Sequence, residues 1–456
     1  MQGKKSTTDL SSGAIAPIIV SFTLPILLGQ IFQNLYNSVD SIVVGRFVGT
    51  DALAAVTSSS DISILLVAFF SGLSVGAGVL FSRYFGAKDY KNLHDSIHTA
   101  ITFSLIFGVI MAVVGILLTP PFLRLVSCPE EVFDDAQTYL RIYFIGVLFT
   151  SLYNVGSGVL RAVGNSRDPF IYLVISSVTN MVLDVLFVGA FKMGVMGVAV
   201  ATIISQLLSV ILVLINMMRT DDVYKLTLSD LHIDKKLMLQ IVDLGFPAGI
   251  QSSIISISNL FVQRFVNLEG VAVISGFGAG KKVDKFVGMI ANSFGLAAST
   301  FISQNMGAKR PERAFKGIRV SLLISVIVSL VLGIPLYLYA DSVIKIFTDD
   351  PDTVYYGVSF LHTILPFYIF QILNSIYSNA VRGFGRSRAV MVYSILGMVV
   401  FRQIFLHIAM AVNGSVTCIF LAYPVGWFFA SALVMAHYFI TIKIPYRRSL
   451  KDTSKL

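Results

Sequence analysis

The sequence predicts an all-α integral membrane protein with twelve transmembrane helices in two repeated halves of six. Three observations support this fold class: the apolar composition, the spacing of the apolar segments and an internal repeat. Of the 456 residues, 55% are hydrophobic and 13% are charged, and the mean hydropathy is +0.80. Because soluble domains carry about 25% charged residues, this composition indicates a chain that lies in a bilayer.

Twelve apolar segments are long enough to cross about 30 Å of hydrocarbon at about 1.5 Å per residue. We predict spans near residues 15–43, 53–80, 95–118, 137–159, 169–190, 195–217, 239–266, 271–303, 317–338, 355–380, 389–412 and 416–442. The longest polar connector, RTDDVYKLTLSDLHIDKK, separates spans six and seven. The predicted order is an N-terminal tail at 1–14, a first lobe at 15–218, a linker at 219–238, a second lobe at 239–443 and a C-terminal tail at 444–456.

Two motifs of the first half recur in the second half, and the same number of residues separates the two copies of each motif. We call this constant separation the repeat offset. FSRYFGAKDYKNL at 81–93 matches ISQNMGAKRPERA at 302–314, and LRAVGNSRD at 160–168 matches VRGFGRSRA at 381–389. Six spans per half give both copies the same orientation, related by an axis along the membrane normal. Such repeats favour a transporter that binds cargo between two lobes, although a channel can also be built from repeats.

The distribution of lysine and arginine predicts the orientation of the chain. With the N-terminus in the cytoplasm, the outer connectors keep only a handful of basic residues, such as Arg46, Arg124 and Lys192. We therefore expect both termini to be cytoplasmic and the protein to lie in the cell membrane. The net charge of +9 is then mostly a topology signal, so nucleic-acid binding is not expected.

Four polar residues inside the first-half spans are predicted to meet at one depth. Polar and charged groups are costly in a bilayer and are therefore functional by default. Asp184 lies about sixteen residues into span five, and Asn180 lies one turn earlier on the same face. Thr202 has a similar depth in span six, and Asp40 lies near the outer end of span one.

Such a cluster is suited to a cation. Two carboxylates in a partly wet cavity repel each other, so at least one of them readily takes a proton. With an amide carbonyl and a hydroxyl, the same oxygens are also hard ligands for a small cation such as Na⁺. Two plainer interpretations stay open: Asp40 faces headgroup water, or Asn180 and Asp184 form a packing hydrogen bond between helices.

The second half lacks this acidic set. At the repeat offset, Asp184 becomes Phe405 and Asn180 becomes Phe401. The spans of the second half instead carry Arg402 in span eleven and Lys281, Lys282 and Asp284 in span eight. For the three span-eight residues, ion pairs within the protein or a short outer loop are as plausible as a binding role. Arg402 is the stronger candidate, although a role in capping the carbonyls of a broken helix would also explain it.

Several segments of the sequence form a recognisable pattern: LPILLGQIFQNLYNSVDSIVVGRFVG at 24–49, GAKD at 86–89, LRAVGNSRDP at 160–169, TNMVLDVLFV at 179–188 and QNMGAKRPERA at 304–314. In these segments the sequence resembles the multidrug and toxic compound extrusion (MATE) family. Their order and spacing extend the resemblance from about residue 14 to about residue 445.

The resemblance implies two lobes around a V-shaped cleft and a secondary antiporter. Such a protein exports amphipathic, often cationic, drugs or toxins in exchange for H⁺ or Na⁺, and we expect it to act as a monomer in the bilayer without an organic cofactor. The family pattern assigns the coupling cation, H⁺ or bound Na⁺, to Asp40, Asn180, Asp184 and Thr202, and a hinge in the first helix to Pro25. Spans seven and ten carry no carboxylates here, which favours coupling through the first lobe alone.

Candidates for contact with cargo are Gln33, Tyr36, Asn154 and Arg402, through apolar area and cation–π attraction, although each is equally suited to packing. The alternative function is a flippase for a lipid-linked oligosaccharide or another anionic amphiphile. An enzyme is not expected. GFGAGKKVD at 276–284 lacks the glycine and the hydroxyl residue of a phosphate-binding loop, and His94 and His98 are expected on a solvated helix face.

Overall fold

The computed structural model of the protein describes residues 7–48, 50–125 and 128–453, and all regular secondary structure in these ranges is helical. The α-helices are α1 Ile15–Phe47, α2 Thr50–Ala87, α3 Tyr90–Leu125, α4 Phe133–Ala162, α5 Arg167–Asp184, α6 Gly194–Arg219, α7 Lys235–Leu268, α8 Val271–Gly307, α9 Pro311–Leu338, α10 Ala340–Lys345, α11 Pro351–Ile364, α12 Tyr368–Gly383, α13 Ser387–Ile395, α14 Arg402–Val412, α15 Val416–Tyr438 and α16 Ile444–Thr453. Twelve helical stretches among the described residues are long and apolar enough to cross a membrane, which confirms the predicted number.

Three stretches of π-helix extend or join these helices. Val185–Ala190 follows α5, Leu396–Phe401 joins α13 to α14, and Phe439–Lys443 joins α15 to α16. A π turn holds more residues than an α turn and is frequent at functional sites. The first two of these stretches adjoin a buried charged side chain, because Asp184 directly precedes one and Arg402 directly follows the other.

Helix starts on the polar connectors follow ordinary capping chemistry. Pro311 and Pro351 occupy the first position of α9 and α11, where no backbone donor is required. Asp350 caps α11 by accepting hydrogen bonds from the Thr353 hydroxyl at 2.6 Å and from the Thr353 N–H at 2.9 Å. These bonds hold the pKa of Asp350 below its usual range, because they stabilise the ionised carboxylate.

The internal repeat is visible in the backbone as well as in the sequence. Lys88 and Lys309 both have a φ of 56°, and Gly164 and Gly385 have φ values of 84° and 85°. The members of each pair are separated by the repeat offset. Left-handed backbone is uncommon for lysine, so its occurrence at equivalent places means that the two halves share turn geometry as well as helix order.

Two compact units make up the chain. The first contains Met1–Ser12, Ser21–Gly249 and Gln304–Lys309, and the second contains Gly13–Val20, Ile250–Ser303 and Arg310–Leu456. In the first unit, α4 packs against α2, α3 and α6, and in the second α15 packs against α11, α12, α13 and α14. The lobe borders read from the sequence stay a prediction.

The beginning of α7 belongs to the first unit because it crosses α2 at very short range. A Cβ at Gly72 would lie 2.4 Å from the Gly249 nitrogen, and a Cβ at Gly76 would lie 2.2 Å from the Gly245 Cα. Real Cβ atoms do not approach other atoms so closely. Glycine at these positions therefore permits backbone-to-backbone packing that no other residue allows.

The connector between α6 and α7 folds back onto the first unit. Thr227 N–H donates to His98 Nε2 at 3.0 Å, and Asp234 N–H donates to Thr99 Oγ1 at 3.1 Å. His98 is completely buried, so the expectation of a solvated face was wrong for this residue. Because Nε2 accepts, Nδ1 carries the proton and donates to the His94 carbonyl at 2.8 Å. Although His94, His98 and Asp230 cluster with metal-like spacing, His98 therefore has no free lone pair for a metal.

Candidate functional site

The structure brings two carboxyl groups of the first unit into contact. Asp184 is the last residue of α5 and is fully buried, and Asp40 lies on α1, seven residues before its end. The two side chains lie within hydrogen-bonding and electrostatic range of each other. Since neither carboxylate can donate when both are ionised, the pair forms a hydrogen bond only when it holds a proton. The predicted proximity of Asp40 and Asp184 is therefore present in the fold.

Asn180 and Thr202 lie at nearly the same level on neighbouring helices. The register of α5 against α6 is fixed at one end by Ser176 Oγ, which donates to the Ser205 carbonyl at 2.6 Å. At the other end, Gly197 lies against Phe187, where an added Cβ would be 3.2 Å from the Phe187 Cβ. Interpolation between these contacts puts Asn180 opposite Thr202, with Asp184 about one turn further along α5.

Several polar atoms of this set are buried without a hydrogen-bond partner in the described part of the chain. They are Asp40 Oδ1, both carboxylate oxygens of Asp184, and the amide oxygen and nitrogen of Asn180. Thr202 Oγ1 donates to the Val198 carbonyl at 3.0 Å, so it offers only lone pairs to a neighbour. Buried polar groups are normally satisfied, and this oxygen-rich set fits a proton or a small hard cation.

An apolar cluster closes one side of the carboxylate pair. Val43 lies one turn beyond Asp40 on α1, Val188 lies one turn beyond Asp184, and both pack with Val195 and Val198. These residues give the carboxylates an environment of low dielectric constant, in which an excess negative charge costs free energy.

Two tyrosines of α4 also belong to this surrounding and were missed in the sequence. Tyr139 packs against the valine cluster and interacts electrostatically with both Asp40 and Asp184. Tyr143 stacks on Tyr139 with ring centroids 6.1 Å apart. The only sequence signal is their spacing of one helical turn, which is equally typical of packing residues.

The residues of the first unit that we predict to contact cargo lie in two separate places. Tyr36 and Gln33 lie within hydrogen-bonding range of each other, and Tyr36 lies near Asp40. Asn154 lies on α4, about 22 Å along the helix axis from Tyr139, and so it does not belong to the acidic set. Pro25 lies inside α1, about 22 Å from Asp40 by the same measure.

The second unit has a basic set instead. Arg402 is 1% exposed and donates to Asn259 Oδ1 at 2.8 Å and to Ser258 Oγ at 2.5 Å. Its Cζ lies 5.5 Å from the ring centroid of Tyr423. Gln403 Nε2 donates to the Ser258 carbonyl at 3.1 Å, so α7 and α14 are joined by a polar contact at this level.

Lys281 and Asp284 form an ion pair at 3.4 Å within the continuous helix α8. The Tyr368 hydroxyl donates to Asp284 Oδ1, and Lys281 Nζ lies 4.3 Å from the Tyr423 ring centroid. The interpretation as an internal ion pair is therefore confirmed for these two residues, and the interpretation as a loop is wrong. Lys282 is exposed and lies over the Phe347 ring at 5.7 Å.

Comparisons with known proteins identify the family. The MatE family model matches residues 25–186 and 247–408, two segments of equal length in the two halves. The chain is 33% identical over 341 residues to the probable multidrug resistance protein YoeA of Bacillus subtilis (strain 168), covering 73% of this chain and 74% of the relative. It is 30% identical over 398 residues to the probable multidrug resistance protein YpnP of the same strain, covering 87% and 89%.

A solved structure has the same fold. It is described as the outward-facing conformation of a multidrug resistance MATE family transporter of the MOP superfamily. The TM-score is 0.91 at 21% identity, over 98% of this chain and 100% of that one. The family model matches once in each of the two repeated halves and the two relatives match most of the chain, and we conclude that this chain belongs to the MATE family of membrane transporters, in its prokaryotic type, and is not an enzyme.

Proposed function

We propose that this protein is a secondary antiporter of the cell membrane that exports amphipathic small molecules in exchange for H⁺ or Na⁺. The observation that carries the proposal is the contact between the carboxyl groups of Asp40, which is half-buried, and Asp184, which is fully buried. Among the described residues, neither forms an ion pair with a lysine, an arginine or a histidine. The names of the two Bacillus subtilis relatives support drugs as cargo.

The coupling step follows from electrostatics. Two ionised carboxylates in contact repel each other, and one H⁺ or Na⁺ shared between them removes most of that repulsion. Asn180 and Thr202 supply further oxygens for Na⁺, and Tyr139 bounds the space beside the pair. Cation binding therefore holds α1 against α5 at this level, and cation release allows the two helices to separate.

Alternating access requires this local change to move a helix. Pro25 lacks the N–H that would bond to the preceding turn of α1, so the helix bends more readily there than elsewhere. We infer a rocker-switch cycle in which cation uptake from the outside bends α1 and releases cargo outward, with both termini in the cytoplasm. One elementary charge moving through about 100 mV provides about 2.3 kcal/mol, enough for a roughly 50-fold gradient of neutral cargo.

A flippase for a lipid-linked oligosaccharide is the second candidate, favoured by the basic side chains Arg402 and Lys281 of the second unit. The two functions differ in their driving force and in the state of the cargo. An antiporter moves a soluble fluorescent amine against its gradient when a cation gradient is imposed, whereas a flippase equilibrates a labelled lipid between leaflets.

The test is reconstitution of the full chain into liposomes with a fluorescent organic cation. A pH gradient and a Na⁺ gradient are imposed separately, and cargo movement is followed with the wild type, Asp40→Asn and Asp184→Asn. We expect one gradient to drive transport and each variant to reduce that transport at least tenfold. Asp341→Asn, which removes a carboxylate from the exposed pair with Lys345, is the matched control and should behave as the wild type. Full gradient-driven transport by both site variants would overturn the proposed cation site.

A further inference from the structure

We propose that the second unit holds a binding site for an organic anion, a carboxylate or phosphate group of an amphipathic molecule, formed by Lys281 and Arg402 around the ring of Tyr423. The site rests on the proposed export function for its physiological meaning, because the anion would be part of the cargo. The side chains themselves are independent of the acidic pair, since they lie in the other unit.

This basic set lies close to the repeat counterparts of the acidic set. At the repeat offset, Thr202 on α6 corresponds to Tyr423 on α15, and Asn180 corresponds to Phe401, the neighbour of Arg402. Tyr423 and Arg402 thus lie at or next to positions that correspond to two members of the acidic set. Neither carboxylate of the first half has a charged residue at its counterpart, so the basic set is a different arrangement at a similar place in the repeat.

The charges of this basic set are not balanced. Arg402 donates only to neutral acceptors, Asn259 and Ser258, and its Nε has no hydrogen-bond partner in the described part of the chain. The one acid of the set, Asp284, is already paired with Lys281 and accepts a hydrogen bond from Tyr368. Two cations and one carboxylate leave one positive charge without a counterion in an apolar surrounding, and such a charge favours the binding of an anion.

The two cations both lie close to one aromatic ring. Lys281 Nζ lies 4.3 Å and Arg402 Cζ lies 5.5 Å from the same ring centroid of Tyr423, and the two charges interact. Like charges repel each other, and an anion placed near both cations would offset that repulsion. The Lys281 side chain is 34% exposed, so its amine can contact a ligand, whereas Arg402 is buried and contributes a fixed field.

Aromatic rings next to the cations suit an amphipathic molecule. Tyr368 and Trp427 meet edge to face with ring centroids 5.3 Å apart, and Tyr423 lies beside Trp427. The rings themselves are buried, but Tyr368 also lines an apolar cavity of about 320 Å³ with Val287 and Ile372, and this cavity offers apolar area to the body of a ligand whose anionic group is held by the cations. A ligand with an anionic group and an apolar body therefore matches the set better than either a metal ion or a small hydrophilic anion.

The test measures binding rather than transport. A dansyl-labelled amphiphile with a free carboxylate and its methyl ester are titrated into the purified full chain in a neutral detergent, and the dissociation constants are compared. We expect the wild type to prefer the acid over the ester, and Lys281→Met to weaken binding of the acid about tenfold with little change for the ester. Lys282→Met is the matched control, because the neighbouring lysine is exposed and points to Phe347, and it should keep the preference.

Arg402 requires a pair of variants, since its hydrogen bonds also join two helices. Arg402→Lys keeps the charge and should keep most of the preference, whereas Arg402→Met should lose it. Equal weakening of acid and ester in Lys281→Met, or an unchanged preference, would overturn the site. Competition with phosphatidylglycerol and with a soluble alkyl phosphate separates a lipid headgroup from a free molecule as the source of the anion.

The outcome is separable from that of the transport assay. Loss of cation-driven transport with the acid preference intact would overturn the antiporter and leave the anion site standing. Normal transport together with no preference for the acid would overturn the anion site and leave the antiporter standing.

Discussion

Gly86 and Gly307 occupy the same place in the two copies of the repeat, and each lies against the backbone of the other's helix. A Cβ at Gly86 would lie 2.0 Å from the Gln304 carbonyl oxygen, and a Cβ at Gly307 would lie 2.0 Å from the Arg83 carbonyl oxygen. Arg83 and Gln304 are themselves separated by the repeat offset. The recurring GAK motif is thus a reciprocal contact between α2 and the end of α8, within the first unit.

This contact predicts that alanine is not tolerated at either glycine. Gly86→Ala and Gly307→Ala should each cost about 1–3 kcal/mol, because the added carbon meets backbone atoms that cannot turn aside. The measurement is the midpoint of thermal unfolding of the purified protein in detergent. Gly278→Ala is the control, because Gly278 lies on α8 as Gly307 does and a Cβ at Gly278 would meet nothing within 4 Å. A midpoint for Gly86→Ala equal to that of the control would contradict the crossing.

A second prediction concerns Gln304, which joins three parts of the first unit. Its Oε1 accepts the Leu10 N–H at 2.9 Å, and its Nε2 donates to the Ala162 carbonyl at 2.7 Å, with the side chain fully buried. Gln304→Leu has a similar volume but removes both bonds, so we expect a loss of about 2 kcal/mol in unfolding free energy.

The control for Gln304→Leu is Gln263→Leu, which removes an exposed bond to Asn267. Protease cleavage near the N-terminus should also become faster in Gln304→Leu, because residues 7–12 lose an anchor. An unchanged unfolding midpoint together with unchanged cleavage would show that the two bonds contribute nothing measurable.

The contact between Asp40 and Asp184 predicts that their substitutions are not additive. If both carboxyl groups serve one cation, the double variant Asp40→Asn, Asp184→Asn should transport cargo at least as fast as the less active of the two single variants. The measurement is the initial rate of gradient-driven cargo movement in liposomes, expressed as a double-mutant cycle. Losses that multiply would mean that the two residues act in separate steps.

Because the buried His98 accepts a hydrogen bond from the connector between α6 and α7, we predict that replacing His98 destabilises this connector. His98→Leu leaves the Thr227 N–H without its acceptor and should cost about 1–3 kcal/mol in local stability. Tryptic cleavage after Lys225 should accordingly become roughly tenfold faster or more. His407→Leu alters an exposed histidine on α14 and should leave the cleavage rate unchanged. An equal rate in both variants would refute a structural role for His98.

Much of this architecture could be predicted from the sequence because a bilayer imposes strong rules. Hydropathy marks each span, and the constant offset between matching motifs marks the repeat, which the paired φ values of Lys88 and Lys309 now display in the backbone. Counting residues from the ends of the spans was enough to bring Asp40 and Asp184 to one level, since helix rise is nearly constant.

The features that escaped prediction depend on contacts between distant segments. Tyr139 has no pattern that separates a neighbour of a carboxylate from an ordinary packing residue. The burial of His98 depends on the path of a polar connector, which helical periodicity does not encode. The motif containing Gly86 was visible as a repeat, but the close approach that requires glycine exists only once α8 has packed against α2.

The π stretches beside Asp184 and Arg402 have a consequence for how such spans are compared and altered. Removing one residue from Val185–Ala190 would return the span to regular α-helix and leave everything beyond it on nearly the same face, because a π stretch accommodates one extra residue within about the same rotation. A homologue one residue shorter at this point would lack the π stretch beside the aspartate and still present its far end to the same neighbours. The number of residues in the span, as well as their identity, therefore decides whether a π stretch adjoins each buried charge.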